Sequence, residues 1–121
     1  MSAELVDISG RVLTIKVSGI LTQPQLAASQ WAAGEAIDKL GGKARLLILI
    51  EDFLGVAKEG DWGDVSFQMQ YDDVLERIAI VSDPQWREAS LLFTGEGIRR
   101  VSIQHFLPTE LAQARAWASA G

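Results

Sequence analysis

The chain contains no cysteine among its 121 residues. This absence excludes disulfide bridges, thiolate nucleophiles and the common structural zinc sites, which all need cysteine sulfur. The sequence also lacks an apolar run long enough to cross a bilayer, and residues 1–7 carry acids where a signal peptide carries bases. We therefore expect a soluble, cytoplasmic protein of bacterial type without membrane insertion.

Positive charge is scarce in this chain. Eleven Lys and Arg residues stand against 16 Asp and Glu residues, which gives a formal net charge of −5. Arg99 and Arg100 form the only basic pair, whereas a phosphate backbone requires a basic cluster. The sequence also shows no metal-spaced histidine pair and no calcium loop. We expect no nucleic-acid partner, no metal and no cofactor.

The composition is that of an ordinary folded domain. Hydrophobic residues make up 48% of the chain and charged residues 22%, a balance that argues against disorder. A chain of this length buries enough surface to fold without disulfide bridges or other cross-links. We predict one domain spanning residues 1–121.

Two unbroken apolar runs, residues 46–50 and 78–81, are the most informative feature of the sequence. The first ends at Glu51 and Asp52, and the second ends at Ser82 and Asp83. Strands without a polar face are buried on both sides, as central strands of α/β sheets are. Residues 12–18 instead alternate between apolar and polar, which predicts a half-solvated strand paired in an antiparallel hairpin with residues 3–8.

The order of elements predicts an α/β fold with a single mixed, mostly parallel five-stranded sheet flanked by four helices, β-β-α-β-α-β-α-β-α. Thr22 and Gln25 fit a capping box at the first helix, and Asp83 is expected to cap the third. The predicted helices cover residues 22–40, 61–75, 83–95 and 108–118, and the predicted strands cover residues 3–8, 12–18, 44–50, 77–82 and 99–105.

Several segments, in this order and spacing, resemble the SpoIIAA-like family, whose fold is related to STAS domains. The resemblance covers essentially the whole chain. It is carried by the early hairpin, the turn at residues 46–55, the strand at 76–83, Trp86 and the closing segment 106–117. It implies a helix-flanked sheet, no known catalytic activity and a regulatory or interaction role that is mostly unassigned.

The chain departs from the anti-sigma antagonists of the STAS group at one motif. Those proteins carry a phosphorylatable serine beside an acid and a glycine, near the start of the helix after the third strand. Here that region, residues 58–66, lacks the motif, and its nearest hydroxyl, Ser66, falls inside the predicted second helix. A serine phosphoswitch is therefore not expected.

Candidate ligand-binding residues follow from the strand ends, because open parallel sheets bind ligands beyond the carboxyl ends of their strands. His105, the only histidine, and Asp52 would form an acid/base pair there. We favour the alternative that Asp52 caps a turn and His105 simply continues a strand, so no residue is assigned as catalytic. The candidate ligand-binding residues are Asp52, Phe53, Trp62, Phe67, Tyr71 and His105.

Two apolar features remain without an obvious place in the core. The predicted second helix carries apolar stripes on opposite sides, one containing Trp62 and the other Phe67 and Tyr71, as a helix sandwiched between two surfaces does. Trp31 projects away from the apolar stripe of the first helix, and exposed tryptophan is enriched at interface hot spots. The candidate interface residues are Trp31, Phe67 and Tyr71.

The sequence leaves two functions open. The favoured one is a non-catalytic interaction or regulatory module that forms a homodimer or binds another protein. The alternative is a small carrier or sensor that binds an apolar molecule under the second helix.

Overall fold

One five-stranded mixed sheet organises the chain. In the computed structural model the described residues are 2–58, 70–71, 73–94 and 101–120. The strands lie side by side in chain order, with β1 antiparallel to β2 and the other neighbours parallel. The strands are β1 (Ala3–Ser9), β2 (Val12–Leu21), β3 (Ala44–Val56), β4 (Leu75–Val81) and β5 (Ser102–Phe106).

Three α-helices flank the sheet in the described part of the chain, whereas four were predicted. They are α1 (Gln23–Leu40), α2 (Arg87–Thr94) and α3 (Leu111–Ser119). The fourth, predicted over residues 61–75, falls mostly outside the described residues, although Gln70 and Tyr71 are helical. Short 3-10 turns, Pro84–Trp86 and Pro108–Glu110, lead into α2 and α3, so the two prolines open 3-10 turns rather than the α-helices themselves.

The helix caps follow the sequence only in part. Thr22 caps α1 by accepting a hydrogen bond from the backbone N–H of Gln25, as predicted. The other hydrogen bond of the predicted capping box, from the backbone N–H of Thr22 to the Gln25 side chain, is not formed. The Gln25 side chain instead accepts hydrogen bonds from the backbone N–H and hydroxyl of Ser2. The predicted cap at Asp83 is wrong, because its side chain accepts no capping hydrogen bond. The N-terminal segment is thus fastened to the start of α1.

The two faces of the sheet bury separate apolar clusters. On the first face, α1 and Leu91 of α2 cover Leu13, Ile78 and Ile80. On the second face, α3 covers Leu47, Ala79 and Val81. The prediction that one side of β2 is exposed to solvent is wrong at Thr14, which is only 2% exposed.

Strand β3 continues six residues beyond its predicted end. It passes Asp52, which has a left-handed φ of 51°, and Gly55, which has a φ of 124°. Asp52 therefore bends a strand instead of capping a turn. Beyond Leu49 the described pairing of β3 is with β2 alone, and the register of this two-stranded extension shifts around Gly19.

Arginine side chains hold the carboxyl ends of two helices against the sheet. Arg77 donates to the backbone oxygen of Trp117 at 2.6 Å, with its guanidinium 5.2 Å from the centre of the Trp117 ring. Arg45, 9% exposed, donates to the oxygen of Ala118 and pairs with Glu76 at 3.0 Å. Arg11 donates to the backbone oxygen of Gly42, just after the end of α1. These cations donate to carbonyl oxygens at or just beyond a helix end, where they complement the helix dipole.

We predict that Arg77→Met lowers the free energy of unfolding by about 2 kcal/mol, because a charge-assisted hydrogen bond and a cation–π contact are lost while the aliphatic stem is kept. Urea unfolding measures the change. Arg115→Met, at an exposed position of α3, is the matched control and should change stability by less than about 0.5 kcal/mol. Equal effects of the two substitutions would contradict the role assigned to Arg77.

Candidate functional site

An apolar cavity of about 370 Å³ lies on the first face of the sheet. Its floor is formed by side chains of β2, β3 and β4, including Ile48 and Ile80. One wall is α1, and the opposite wall is the turn Pro84–Trp86 with the start of α2. We call this space, with the side chains that line it, the apolar cavity.

The central strand β3 shows that the apolar cavity is accessible. Ile48 and Ile50 point to the same face as the buried Leu46, yet both retain accessible surface. In a central strand such side chains are ordinarily covered on both sides. Their partial exposure shows that the described helices leave the middle of this face open.

The extension of β3 closes one end of the apolar cavity. Phe53 packs edge-on against Trp86, with ring centres 4.8 Å apart and planes at 74°. This T-shaped contact is a favourable geometry for two aromatic rings. Phe53, Trp86 and Val56 all line the apolar cavity, so the bend at Asp52 brings β3 residues beside the turn that follows β4.

Few polar side chains line the apolar cavity. Among the described residues they are Ser29 and Gln30 of α1 and Ser90 of α2, and no charged side chain takes part. Ser29 donates its hydroxyl to the oxygen of Leu26 at 2.8 Å, and Ser90 donates to the oxygen of Arg87 at 3.0 Å. The mixture of apolar walls and sparse polar groups is typical of small-molecule pockets.

Of the four sequence-predicted ligand residues that the structure describes, three lie outside the apolar cavity. Phe53 lines the apolar cavity, whereas Asp52 and His105 do not. Tyr71 is buried against α1. Its ring packs on Gly34, and its hydroxyl donates a hydrogen bond to Asp38 at 3.3 Å. Burial and the Asp38 carboxylate raise the pKa of Tyr71. Trp62 and Phe67 fall outside the described residues.

Sequence reasoning missed the contribution of α1 and Trp86 to this site. Leu26 belongs to the apolar stripe of α1, which the sequence places in the core, and Trp86 enters the sequence analysis only through the family resemblance. The polar positions Ser29 and Gln30 beside that stripe carried a signal, because they interrupt an otherwise apolar face. Trp31, which also lies on α1, is 69% exposed and does not line the apolar cavity.

His105 is paired with Ser82 rather than with Asp52. Ser82 Oγ lies 2.7 Å from His105 Nε2 and 3.1 Å from the backbone oxygen of Asp83, at the carboxyl ends of β4 and β5. Burial is the largest cause that lowers the pKa of His105, and the Arg87 guanidinium adds to it. A hydrogen bond that the imidazole donates to the Ser82 backbone, and the Glu110 carboxylate, act in the opposite direction.

Two absences apply to the part of the chain that the structure describes. No cluster of three histidine or acidic side chains there is arranged to hold a metal ion. No helix in those ranges is both long and apolar enough to span a membrane.

The fold resembles that of a solved structure. It is the crystal structure of an uncharacterised protein of the DUF3478 family, with a SpoIIAA-like fold, from Shewanella loihica PV-4. The TM-score is 0.71 at 16% sequence identity, and the match covers 96% of this chain and 91% of that chain. At this identity the likeness concerns the fold alone. A search of curated proteins finds no match.

The sequence itself matches a family model over most of its length. The model is that of the SpoIIAA-like family, and it covers residues 12–119, from the start of β2 to the end of α3. The resemblance seen in the sequence is thereby confirmed, and the chain belongs to the SpoIIAA-like family.

Proposed function

We propose that this protein is a non-catalytic carrier or sensor that binds a small apolar molecule in the apolar cavity. The observation that carries the proposal is the partial exposure of Ile48 on a central strand, and of Ile50 directly after its last pairing with β4, beside a 370 Å³ space without charged lining in the described chain. A volume of this size lies within the usual range for ligand pockets. When a ligand covers apolar surface that is otherwise in contact with water, the removal of that surface from water favours binding.

The pair of Ser82 and His105 supports the non-catalytic part of the proposal. A nucleophilic serine must give its proton to the imidazole and must reach a substrate. The Ser82 side chain is 0% exposed, and its hydroxyl has a competing acceptor in the oxygen of Asp83. When the hydroxyl donates to Asp83, His105 donates from Nε2, which is opposite to the direction that nucleophile activation needs. The pair fastens β4 to β5 just before the turn that carries Trp86.

Naphthalene, a neutral hydrocarbon, is a suitable first probe for the apolar cavity. In a two-dimensional amide NMR titration we expect saturable shifts at Ile48, Phe53, Trp86 and Ala89, whereas α3 on the opposite face should not respond. Shifts that do not saturate, or that spread over both faces, would contradict the proposal.

Filling the apolar cavity should abolish this binding. Ala89 lines the apolar cavity from an exposed position on α2, so Ala89→Phe places a ring in the space without disturbing the core. We expect the affinity for naphthalene to fall at least about tenfold, measured in the same titration. Ala116→Phe, at an exposed position on α3, is the matched control and should bind as the unmodified protein does.

The environment of His105 predicts that the stability of the protein depends on pH. Because its pKa is lowered in the folded state, folding favours the neutral imidazole. The stabilisation is complete above the unfolded pKa of about 6.5 and is lost as the pH falls through that value towards the folded pKa. Between pH 7.5 and pH 5.5, urea unfolding should show a loss of stability that is smaller in His105→Gln. An equal loss in both proteins would contradict the assignment.

A second candidate function, protein interaction, is favoured by Trp31. This side chain is 69% exposed on α1, an unusual position for a tryptophan in a monomer. If two copies associate through it, Trp31→Ala should weaken the dimer by about 2 kcal/mol or more, the scale of a hot spot. Analytical ultracentrifugation measures the dissociation constant. Leu54→Ala, which alters another exposed apolar residue on β3, is the control.

The dimer hypothesis has a clear negative outcome. It would be abandoned if the unmodified protein sediments as a monomer at high concentration. Apolar ligand binding would be unaffected by that result, because Trp31 does not line the apolar cavity.

A further inference from the structure

The charge of the apolar cavity restricts what it can bind. No lysine, arginine or histidine belongs to its described lining, so a carboxylate or phosphate buried there would have no cationic partner. Burial of an unpaired ion is far more costly than burial of a hydrocarbon or an alcohol. The formal net charge of −5 adds a general repulsion of anions.

The polar groups of the lining restrict the ligand further. The hydroxyl protons of Ser29 and Ser90 are already given to backbone oxygens of their own helices. The side chain of Gln30 makes no hydrogen bond within the described chain, although it is half-buried and lines the apolar cavity. Its amide offers both a donor and an acceptor at one place in an apolar wall.

The volume sets an approximate size for the ligand. At about 30 Å³ for each water-sized group, 370 Å³ holds roughly a dozen non-hydrogen atoms. A medium-length alkyl chain or a pair of fused rings has this size. Complete phospholipids and long-chain sterol esters are too large to be enclosed.

We propose that the ligand is a neutral, mostly hydrocarbon molecule of roughly a dozen non-hydrogen atoms, whose single hydroxyl or carbonyl group is hydrogen-bonded by Gln30. The inference rests on the proposed function and adds the chemical class of the ligand. Carboxylates and phosphates of the same length are rejected, because the described cavity offers them no positive charge. Gln30 fixes the orientation of the ligand by holding its polar end against α1.

Decanol and decanoate test the class directly, because they share one alkyl chain and differ in the charge of the head group. Calorimetric titrations at pH 8, below the solubility limit of decanol and the micellar concentration of decanoate, should show decanol binding at least about tenfold more tightly than decanoate. Equal affinities, or tighter binding of decanoate, would overturn the neutral class. Naphthalene binding in the same protein would still support the proposed function.

Gln30→Leu tests the hydrogen bond. The substitution should weaken decanol binding about three- to tenfold and leave naphthalene binding unchanged or tighter, since naphthalene makes no hydrogen bond. Gln113→Leu, at an exposed position on α3, is the matched control, and thermal unfolding checks that each variant is folded. Unchanged decanol affinity in Gln30→Leu would overturn the role of Gln30. Failure of the unmodified protein to bind both naphthalene and decanol would overturn the proposed function itself.

Discussion

Burial of the central strands on both faces is the constraint on which the rest of this structure depends. Strands β3 and β4 have almost no polar side chain in their middle, so helices must shield both sides of the sheet. On the second face, α3 lies directly over these strands. On the first face, α1 packs mainly on β1 and β2, whereas α2 packs beside β5. The apolar cavity is the space that these two described helices leave over the middle of the sheet.

The unusual backbone of β3 gives this space its end wall. A strand that stopped at its last pairing with β4, at Leu49, would not carry Phe53 to Trp86. The left-handed conformation at Asp52, which a non-glycine residue adopts only at an energetic cost, lets the strand bend and continue beside β2. Ser82 and His105 hold the ends of β4 and β5 together directly before the turn that carries Trp86. The two rings of the end wall are therefore positioned by a backbone bend and by a side-chain hydrogen bond, both at residues outside the cavity lining.

The sequence was informative wherever one local pattern decided the structure. The apolar runs identified the buried strands, the alternation in β2 identified the hairpin, and Thr22 marked the start of α1. It was misleading where a distant residue competed for a partner, because Gln25 bonds Ser2 instead of closing its capping box. His105 lies in β5, as favoured from the sequence, but no local pattern indicates its contact with Ser82. The apolar cavity was unpredictable in another sense. Leu26 and Ile48 carry the same pattern whether a helix covers them closely or stands away from the sheet, because hydrophobic periodicity reports a face and not a distance.

The two faces of the sheet differ in how completely their apolar side chains are covered. On the second face, Arg45 and Arg77 fasten the end of α3 by hydrogen bonds to its last carbonyls, so the packing of Leu47 and Ala79 does not rely on a ligand. On the first face, apolar side chains of a central strand stay accessible, which forfeits part of the free energy that burial would supply. A ligand that fills this space restores that contribution and binds only the folded chain, so it stabilises the protein by mass action. Secure packing on one face is what allows the other to remain open.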